Sequence, residues 1–497
     1  MQLLEIGELF KELENVLYPK DLDIHALAEP MPFRLDTPPT ALIYVTEKVG
    51  RENMELDLSS LSPDSGVAVV VSRTTKVNSS PIPIIRVDNV RVALSYALSR
   101  IWGIDYDQMK FIGITGTNGK TTTATLIYKI LKGCGYKVGF IGTGKIISDE
   151  NVLTDTNYSM TTPDPTVLYP SLATMSKDGC RYVVMEVSSH SIALGKTAPI
   201  KFEYAIFTNL DNDHLDFHKS KEDYFLTKLK LFSRSKKGLF NMDDEYGKRA
   251  YQMAECEKSS FGIINPADAY ATNIELKSLN ESSFFYREPQ LIFKAVTKLG
   301  GAFNVYNTLA SLKCVIDLGI KPCIAKEMLS KIDGVDGRME IIDGVVKGVI
   351  DYAHTPMAFY SCLKTLKNRI NMRQSLIVVF GCGGERDKGK RSVFGEYAEI
   401  FADKIIITED NSRSESFDAI ANDISKGIKN KAFEIVKDRE KAIKHAFKNA
   451  KKGDVVAVIG KGHERYKIVG GEYLPFDERK IIHDAIEDYG GSYESRA

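Results

Sequence analysis

The stretch 111-FIGITGTNGKTTTATLIYKILKG-133 decides the fold of this chain. Residues 111–116 are mainly apolar and end in Gly, which is typical of a buried β-strand. Residues 121–133 carry apolar side chains at helical spacing, so the pattern predicts a strand, a Gly-rich turn and a helix. The backbone N–H groups of such a turn, together with the N-terminus of the helix, can surround phosphate oxygens.

The turn itself, 113-GITGTNGKT-121, departs from the strict GxxxxGK[ST] spacing because Ile114 stands where the first Gly belongs. Lys120 is placed to reach terminal phosphates, and the Thr121 hydroxyl is placed to bind Mg²⁺. The alternative interpretation is an ordinary strand–helix turn with incidental glycines.

Working outward, short apolar runs that end in Gly or polar residues recur along the chain. They are 138–144, 182–189 and 204–210, then 375–381, 404–408 and 454–460. Strands that alternate with helices predict parallel sheets whose strand ends face a ligand crevice. We therefore predict an α/β protein of three domains: a small α/β domain (1–105), a central domain with a phosphate-loop type of mononucleotide-binding parallel sheet (106–336), and a Rossmann-like doubly wound domain (337–497).

The first of these domains carries no chemical signature. It contains a Pro-rich patch (Pro30, Pro32, Pro38 and Pro39), apolar runs at 67–71 and 82–87, and a helical pattern through Ile101.

Composition excludes several classes of protein. The 497 residues include 66 Lys plus Arg and 66 Asp plus Glu, so the chain lacks the basic balance of a nucleic-acid coat. No apolar run approaches the roughly 18 residues of a membrane span, and the acidic N-terminus does not resemble an export signal.

Seven cysteines without paired spacing favour the cytoplasm over a disulfide or zinc framework. The Lys-rich segment 437–453 is interpreted as a solvated helix rather than a nucleic-acid patch.

Candidate chemistry in the central domain follows the predicted strands. Glu186, in 186-EVSSHS-191, is a candidate Mg²⁺ ligand or else a polar strand end or helix cap. The stretch 208-TNLDNDHLDFH-218 is either an acidic turn or a site of metal and phosphate chemistry, through Asp211, Asp213, His214, Asp216 and His218. Lys228, taken alone, is predicted to lie on a helix surface.

The C-terminal domain carries three polar segments after predicted strands: 381-GCGGERDKGKR-391, 409-EDNSRSE-415 and 459-IGKGHE-464. Arg386 and Arg391 in the first are candidate carboxylate or phosphate ligands. Convergence of the strand ends would form a mixed-charge pocket for a zwitterion from Arg386, Asp410, Asn411, Arg413 and Glu464. The alternative is a set of unrelated surface turns.

Together these motifs resemble those of the Mur ligases of peptidoglycan synthesis, in particular the branch that adds the third amino acid. The resemblance covers roughly residues 108 to 485. It rests on 115-TGTNGKTTT-123, 161-TTPDP-165, 185-MEVSSHS-191, 207-FTNLDNDHLDFH-218, 301-GAFNVYN-307, 351-DYAHTP-356, 381-GCGGERDKGKR-391, 410-DNSR-413 and 460-GKGHE-464.

The resemblance implies an ATP-dependent amide ligase of cell-wall biogenesis, and hence of cell shape and cell division. In that family ATP phosphorylates the D-glutamate side-chain carboxylate of UDP-MurNAc-L-Ala-D-Glu, and the amine of a diamino acid attacks the acyl phosphate. Mg²⁺ offsets charge on the phosphoryl group. The resemblance further implies a cytoplasmic monomer that binds neither nucleic acid nor membrane.

The resemblance also implies roles for individual residues. The phosphate loop comprises Gly116, Thr117, Asn118, Gly119, Lys120, Thr121 and Thr122. Positions around the rest of the nucleotide are Asn307, Arg338, Asp351 and His354. One Mg²⁺ is held by Thr121 and Glu186, and a second by His214 and Lys228, which the family carbamylates with CO₂. The precursor is contacted by Thr161, Thr162, Ser188 and Lys196. The amino-acid pocket comprises Arg386, Asp410, Asn411, Arg413, Gly460 and Glu464. The residues predicted to be catalytic are Lys120, Glu186, His214 and Lys228.

Several positions depart from the family pattern. Arg413 can bind the second carboxylate of diaminopimelate, which favours that amino acid, but Ser412 replaces the proline of the usual DNPR motif. Lysine and lanthionine remain alternatives. Lys196 stands in place of an arginine, Asp336 replaces a proline, and the family's usual N-terminal DSR-type segment is not visible. A related ligase with another acyl substrate, or a non-catalytic ATP-binding protein, are the remaining hypotheses.

Overall fold

The computed structural model describes residues 26–28, 41–44, 55–57, 59, 67–82, 84–154, 160–214, 217–470 and 472–494. The predicted Pro-rich patch and Asp216 lie outside the described residues. Contacts divide the chain into two compact units. The first unit comprises Met1–Lys110, Thr162–Arg181 and Val187–Lys201, and the second comprises Phe111–Thr161, Tyr182–Glu186 and Phe202–Ala497.

The first unit is a small α/β structure. Its described strands are β1 (Ala26–Ala28), β2 (Ala41–Tyr44), β3 (Glu55–Asp57), β4 (Val67–Ser72), β5 (Lys76–Ser79) and β6 (Ile84–Val87), and its helices are Val90–Ile101, Pro165–Lys177 and Ser189–Ala193. Strands β1, β2, β4 and β6 form a parallel sheet in that order, and β3 pairs with β5. Asn89 begins the first helix by accepting a hydrogen bond from the Val92 N–H.

The second unit contains one sheet of eleven strands. They are β7 (Lys110–Thr115), β8 (Val138–Gly142), β9 (Lys145–Ser148), β10 (Asn151–Val152), β11 (Tyr182–Glu186), β12 (Phe202–Phe207), β13 (Ser235–Asn241), β14 (Glu257–Gly262), β15 (Ala269–Leu276), β16 (Ser282–Glu288) and β17 (Leu291–Thr297). Their order is β10-β9-β8-β11-β7-β12-β13-β14-β15-β16-β17. The helices of this part are Lys120–Gly133, Lys221–Leu229, Glu245–Met253, Ala302–Asp317 and Pro322–Ser330, with a short 3₁₀ turn at Phe232–Arg234.

Parallel pairing at the centre of this sheet agrees with the predicted fold class. The pairs β8–β11, β7–β12, β12–β13, β13–β14 and β14–β15 are parallel. Antiparallel strands extend both edges, through β8–β9–β10 at one end and β15–β16–β17 at the other. The sequence prediction of a parallel sheet did not include these edges, because their alternating polar residues lack the continuous apolar run of a buried strand.

A second sheet of six strands follows in the same unit. Its strands are β18 (Glu340–Ile342), β19 (Lys347–Asp351), β20 (Leu376–Phe380), β21 (Lys404–Ile407), β22 (Phe433–Ile435) and β23 (Val455–Ile459), in the order β18-β19-β23-β20-β21-β22. The accompanying helices are Pro356–Lys367, Gly389–Phe401, Phe417–Ser425, Arg439–Lys448 and Glu478–Glu494. A hairpin of β24 (Tyr466–Val469) and β25 (Glu472–Pro475) precedes the last helix.

The six-stranded sheet is covered on both faces, as the doubly wound prediction requires. Along β20, Val378 and Phe380 belong to one apolar cluster, whereas Ile377 and Val379 belong to another. Successive strand residues point to opposite faces, so each face has its own core. Because β23, β20 and β21 are adjacent and parallel, their carboxyl ends share one edge of the sheet.

The predicted helix within 437–453 is Arg439–Lys448. Its apolar side chains, Ala442, Ile443, Ala446 and Phe447, are buried, and its lysines are exposed. The described residues include no helix with both the length and the apolar composition of a bilayer span. The boundaries 105/106 and 336/337 stay a prediction; residues 162–181 and 187–201, assigned above to the central domain, belong to the first unit.

Candidate active site

The phosphate loop connects β7 to the helix Lys120–Gly133 and is held by the end of the neighbouring strand β12. The Thr117 N–H donates to the Asn209 carbonyl at 2.9 Å, and the Asn118 N–H donates to Asn209 Oδ1 at 2.9 Å. The Thr208 hydroxyl donates to the Asn118 carbonyl at 2.6 Å. Sequence reasoning selected neither Thr208 nor Asn209, although both lie at the polar end of the predicted run 204–210 and directly follow strand β12. The loop is therefore held in shape by contacts within the protein.

Two glycines in the loop allow close approach of backbone to side chain. Gly116 has φ of 143°, and a Cβ there would lie 1.9 Å from Thr208 Oγ1. Gly119 has φ of 86°, and a Cβ there would lie 2.4 Å from Asn307 Oδ1. Both positions require glycine for conformation and for space.

Lys120 is the first residue of the helix that follows the loop, and its side chain folds back over the loop. Its Nζ donates to the carbonyls of Gly116 at 3.0 Å and Thr117 at 2.8 Å. Burial lowers the pKa of Lys120, while the carboxylates of Glu186 and Asp213 act in the opposite direction. The Lys120 side chain lines the same cavity as these carboxylates and can exchange its carbonyl partners for phosphate oxygens.

Thr121 and Glu186 converge at the start of the same helix. Thr121 Oγ1 donates to Glu186 Oε2 at 2.9 Å, and Glu186 Oε1 accepts the Thr143 N–H at 2.8 Å. Arg338 Nη2 donates to Thr121 Oγ1 at 3.0 Å. Glu186 is buried and Thr121 is partly buried, so a carboxylate and a hydroxyl oxygen meet at the wall of that cavity. These are the hard oxygen donors that Mg²⁺ prefers.

Lys228 corrects the sequence prediction of a surface lysine. It lies on the helix Lys221–Leu229 but is buried, and its Nζ donates to the Gly116 carbonyl at 2.9 Å. Its ammonium also lies 4.6 Å from the centre of the Tyr224 ring. Burial lowers the pKa of Lys228 well below its usual value, and the charge of Lys120 lowers it further. The tertiary fold thus places a readily deprotonated amine beneath the phosphate loop.

Asp213 and His214 face the cavity beside the loop. The Asp213 carboxylate lies 3.4 Å from His214 Nε2 and 3.9 Å from His354 Nε2. Burial alone would raise the pKa of Asp213, but the charges of His214 and His354, with more distant lysines, lower it to about 2. Burial also lowers the pKa of His354 to about 4. Asp213 is therefore ionised and His354 neutral at neutral pH.

A cavity of about 470 Å³ contains the residues predicted for the nucleotide: Asn307, Arg338, Asp351 and His354. The Asp351 carboxylate accepts the N–H groups of Met339 and Ala353, so it shapes the adjacent backbone. Sequence reasoning missed Asp243, which lines the same cavity. Its carboxylate accepts three backbone N–H groups from residues 263–265 and the Tyr306 hydroxyl. The available signal was its position two residues after Asn241, where strand β13 ends.

A second cavity, of about 460 Å³, joins the phosphate loop to the six-stranded sheet. From the loop side it is lined by Lys120, Thr121, Glu186 and His214, together with Thr161. From the carboxyl edge of the six-stranded sheet it is lined by Arg386, Asp410, Asn411, Arg413, Gly460 and Glu464. The two predicted sets therefore face one space.

The residues predicted to form the amino-acid pocket are held in place by hydrogen bonds within the protein. Asn411 Nδ2 donates to Glu464 Oε2 at 2.8 Å, and Asn411 Oδ1 accepts the Ile468 N–H of the hairpin. Arg413 has φ of 53°, and its Nη1 donates to the Gly384 carbonyl at 2.7 Å. Among the described residues no carboxylate forms an ion pair with Arg413. Ser412, the departure from the family motif, is buried and donates to Glu409 Oε1 at 2.9 Å.

The second arginine of the Gly-rich segment does not belong to this set. Arg391 is fully buried and forms ion pairs with Glu415 at 2.7 Å and Asp423 at 3.1 Å. The prediction of Arg391 as a ligand residue is therefore not supported, because its guanidinium is already bound within the protein.

Replacing Arg391 with methionine should lower the free energy of unfolding by about 2 kcal/mol at neutral pH, since two carboxylates lose a buried cation. Hydrogen bonds from Arg391 lower the pKa of Glu415 to about 2, whereas an unfolded glutamate titrates near about 4.3. The stabilisation is thus present above pH about 4.3 and is lost as the pH falls towards 2. Urea unfolding at several pH values should show the wild-type advantage shrinking in acid.

The matched control is Lys388→Met, which removes an exposed cation 3.3 Å from the same Glu415 carboxylate. We expect its effect to stay below about 0.5 kcal/mol. A stability difference between wild type and Arg391→Met that did not change with pH would contradict the assignment.

Of the residues predicted to contact the precursor, Thr162, Ser188 and Lys196 belong to the first unit, whereas Thr161 belongs to the second. The Thr162 hydroxyl accepts the Ser188 N–H at 3.1 Å, and Ser188 Oγ accepts the Ser191 N–H that begins a short helix. Lys196 Nζ pairs with Asp164 at 2.7 Å. The departure from arginine at position 196 thus retains a cation with a carboxylate partner.

Metal ligation would need more than the imidazole, thiolate and carboxylate groups of the residues that the structure describes. Among the described residues, no three His, Cys, Asp or Glu side chains are grouped to hold a metal ion. Thr121 and Glu186 supply two oxygen donors, and further donors would come from water, a phosphate or a modified side chain.

Two family models match the central and C-terminal parts of the chain. The model of the Mur ligase middle domain matches residues 114–315, and that of the Mur ligase glutamate ligase domain matches residues 337–462.

Two relatives match most of the chain. UDP-N-acetylmuramoyl-L-alanyl-D-glutamate–2,6-diaminopimelate ligase 1 of Clostridium acetobutylicum is 38% identical over 438 residues, which cover 87% of this chain and 89% of that protein. The UDP-N-acetylmuramoyl-L-alanyl-D-glutamate–2,6-diaminopimelate ligase of Aquifex aeolicus is 39% identical over 429 residues, which cover 84% of this chain and 85% of that protein. A solved structure of a UDP-N-acetylmuramoyl-L-alanyl-D-glutamate–2,6-diaminopimelate ligase is 28% identical, with a TM-score of 0.59, and covers 88% of this chain and 95% of that chain.

Proposed function

The chain belongs to the Mur ligase family, and we propose that it joins 2,6-diaminopimelate to UDP-MurNAc-L-Ala-D-Glu while ATP is converted to ADP and phosphate. One observation carries this proposal: the phosphate loop and the mixed-charge pocket face the same cavity of about 460 Å³. A phosphoryl group and an attacking amine must meet at one carboxylate, and a shared cavity allows this.

The reaction has two steps. An oxygen of the D-glutamate side-chain carboxylate attacks the γ-phosphorus of ATP; an O–P bond forms, the bond from the γ-phosphorus to ADP breaks, and ADP leaves. The carboxylate carbon, a poor electrophile before this step, now carries phosphate as a leaving group. The amine nitrogen then attacks the acyl carbon. The C–N bond forms, the C–O bond to phosphate breaks, and the amine loses its proton.

On the nucleotide side, we propose that Lys120 leaves its carbonyl partners to bind the terminal phosphates. Asn307, Arg338, Asp351 and His354 surround the rest of the nucleotide. When bound, Mg²⁺ supplies charge neutralisation on the transferring phosphoryl group. Thr121 and Glu186 would hold one ion, and His214 and carbamylated Lys228 a second. The hydroxyl–carboxylate pair of Thr121 and Glu186 suits the first of these roles.

On the amine side, we propose that Arg386 and Arg413 bind substrate carboxylates while Asp410 and Glu464 bind an ammonium group. Lysine has one carboxylate, whereas diaminopimelate has two, so a second arginine favours diaminopimelate. The acyl substrate would contact Thr161, Thr162, Ser188 and Lys196. Because a single chain supplies both sides of the cavity, we propose a monomer, and its ATP and nucleotide substrates favour the cytoplasm.

The test is phosphate release by the purified protein with ATP, Mg²⁺ and UDP-MurNAc-L-Ala-D-Glu. Diaminopimelate, lanthionine and lysine are compared in parallel, and the product is identified by mass spectrometry. We expect turnover with diaminopimelate to exceed that with lysine by at least about tenfold. Turnover with lysine alone would show that lysine, and not diaminopimelate, is the amine substrate. No turnover with any of the three amines would point to another acyl substrate.

A further inference from the structure

Lys461 lies directly behind the acidic side of the shared cavity. Its side chain is fully buried, and its Nζ lies 2.9 Å from Asn411 Oδ1 and 3.0 Å from Glu464 Oε2. The Asp410 carboxylate is 3.6 Å away. Asp410, Asn411 and Glu464 line the cavity, whereas Lys461 is not among the lining residues. One buried ammonium therefore connects three groups of the amino-acid pocket.

The charges of this cluster can be counted from its contacts. Burial would raise the pKa of Asp410, but the charges of Lys461 and Arg439 hold it below its ordinary value. Arg439 is itself paired with the buried Glu478 at 2.5 Å, and neither residue lines the cavity, so this pair is not counted with the charges of the pocket. Asp410 and Glu464 together carry two negative charges, and Lys461 offsets one of them. The acidic side of the pocket is left with a single net negative charge.

We propose that Lys461 is a positioning and specificity-determining residue for the amine substrate, an assignment that rests on the proposed function. It holds Asn411 and Glu464 in place, and it limits the acidic side to one uncompensated charge. At neutral pH a diamino dicarboxylic acid has no net charge, whereas lysine carries one positive charge. A pocket with one more negative charge would favour the more cationic amine.

The test begins with Lys461→Met in the full-length protein. We expect the KM for diaminopimelate to rise about tenfold, and the ratio of kcat/KM for diaminopimelate over lysine to fall about tenfold. The control is Lys467→Met, because Lys467 lies nearby in sequence, on strand β24 of the hairpin, and its ammonium lies over the Phe476 ring. This control should leave both quantities unchanged.

A second assay separates the amine pocket from the rest of the reaction. Hydroxylamine attacks the acyl phosphate, forming a C–N bond and releasing phosphate, so hydroxamate appears without an amino-acid substrate. The wild-type protein and Lys461→Met should produce hydroxamate at equal rates when hydroxylamine is saturating. Absence of hydroxamate from the wild type would overturn the proposed function itself, independently of Lys461.

The double variant Lys461→Met/Glu464→Gln removes one positive and one negative charge, so it avoids leaving an unpaired buried charge. Asp410 then supplies the single negative charge. We expect selectivity for diaminopimelate over lysine to recover at least partly relative to the single variant, even though affinity stays reduced. The assignment is overturned if Lys461→Met keeps wild-type selectivity, or if the double variant is no more selective than the single one.

Discussion

Replacement of Lys228 by alanine should reduce turnover by about a thousandfold or more, because the proposed second metal site would lose its anionic ligand. The neutral amine of Lys228 can attack CO₂, forming a carbamate and releasing a proton. Its burial supports this reaction, since the pKa of Lys228 is well below the usual value of a lysine. Protonation in acid would oppose carbamylation, so activity should fall as the pH is lowered.

Two measurements separate a carbamate from a merely structural lysine. A carbamate carbon signal should appear by NMR when the wild-type protein is supplied with ¹³C-bicarbonate, and it should be missing from Lys228→Ala. Short carboxylic acids such as formate should restore part of the activity of the variant, whereas bicarbonate should not.

Lys230→Ala is the matched control, because Lys230 follows the same helix and is exposed. It should retain wild-type activity. Full activity of Lys228→Ala would rule out the carbamate role.

Replacing Gly116 with alanine should raise the KM for ATP or lower kcat so that kcat/KM falls about a hundredfold. A Cβ at this position would lie 1.9 Å from Thr208 Oγ1 and 3.0 Å from the Asn209 carbonyl, and φ is 143°. The Thr208 and Asn209 groups that hold the loop would have to move, and with them the carbonyl that binds Lys120 and Lys228. Steady-state kinetics with varied ATP provide the measurement.

Gly135→Ala is a control with the same kind of backbone strain but without the close contact. Gly135 has φ of 85°, and no heavy atom lies within 4 Å of a Cβ built there. We expect a loss of about 1 kcal/mol in stability and unchanged kinetics. Wild-type kcat/KM in Gly116→Ala would show that the loop does not need its present conformation.

Much of the fold follows from local sequence patterns. The runs 111–116, 138–144 and 204–210 correspond to β7, β8 and β12, and the C-terminal runs to β20, β21 and β23. These strands are buried on both faces, so a continuous apolar run identifies them without further information. The antiparallel edges and the assignment of residues 162–181 and 187–201 to the first unit depend on contacts between distant segments, which local patterns do not encode.

Within the site, sequence distinguished Lys120 and Thr121 because the chemistry of a phosphate loop needs those residues at that spacing. It could not distinguish Lys228. On the helix Lys221–Leu229 the apolar Leu226 is 40% exposed, whereas the charged Lys228 is buried. Hydrophobic periodicity predicts the reverse, and only packing against the phosphate loop accounts for it.

The sequence by itself determined the alternation of strands and helices, the Gly-rich turn and the family resemblance, because backbone preference and short-range spacing act locally. The tertiary structure decided which charged side chains face the cavity. Arg386 lines it while Arg391 is bound to Glu415, and Lys461 lies behind two carboxylates. The burial and pairing of a charge depend on neighbours that are distant in sequence, so these roles emerge only when the chain has folded.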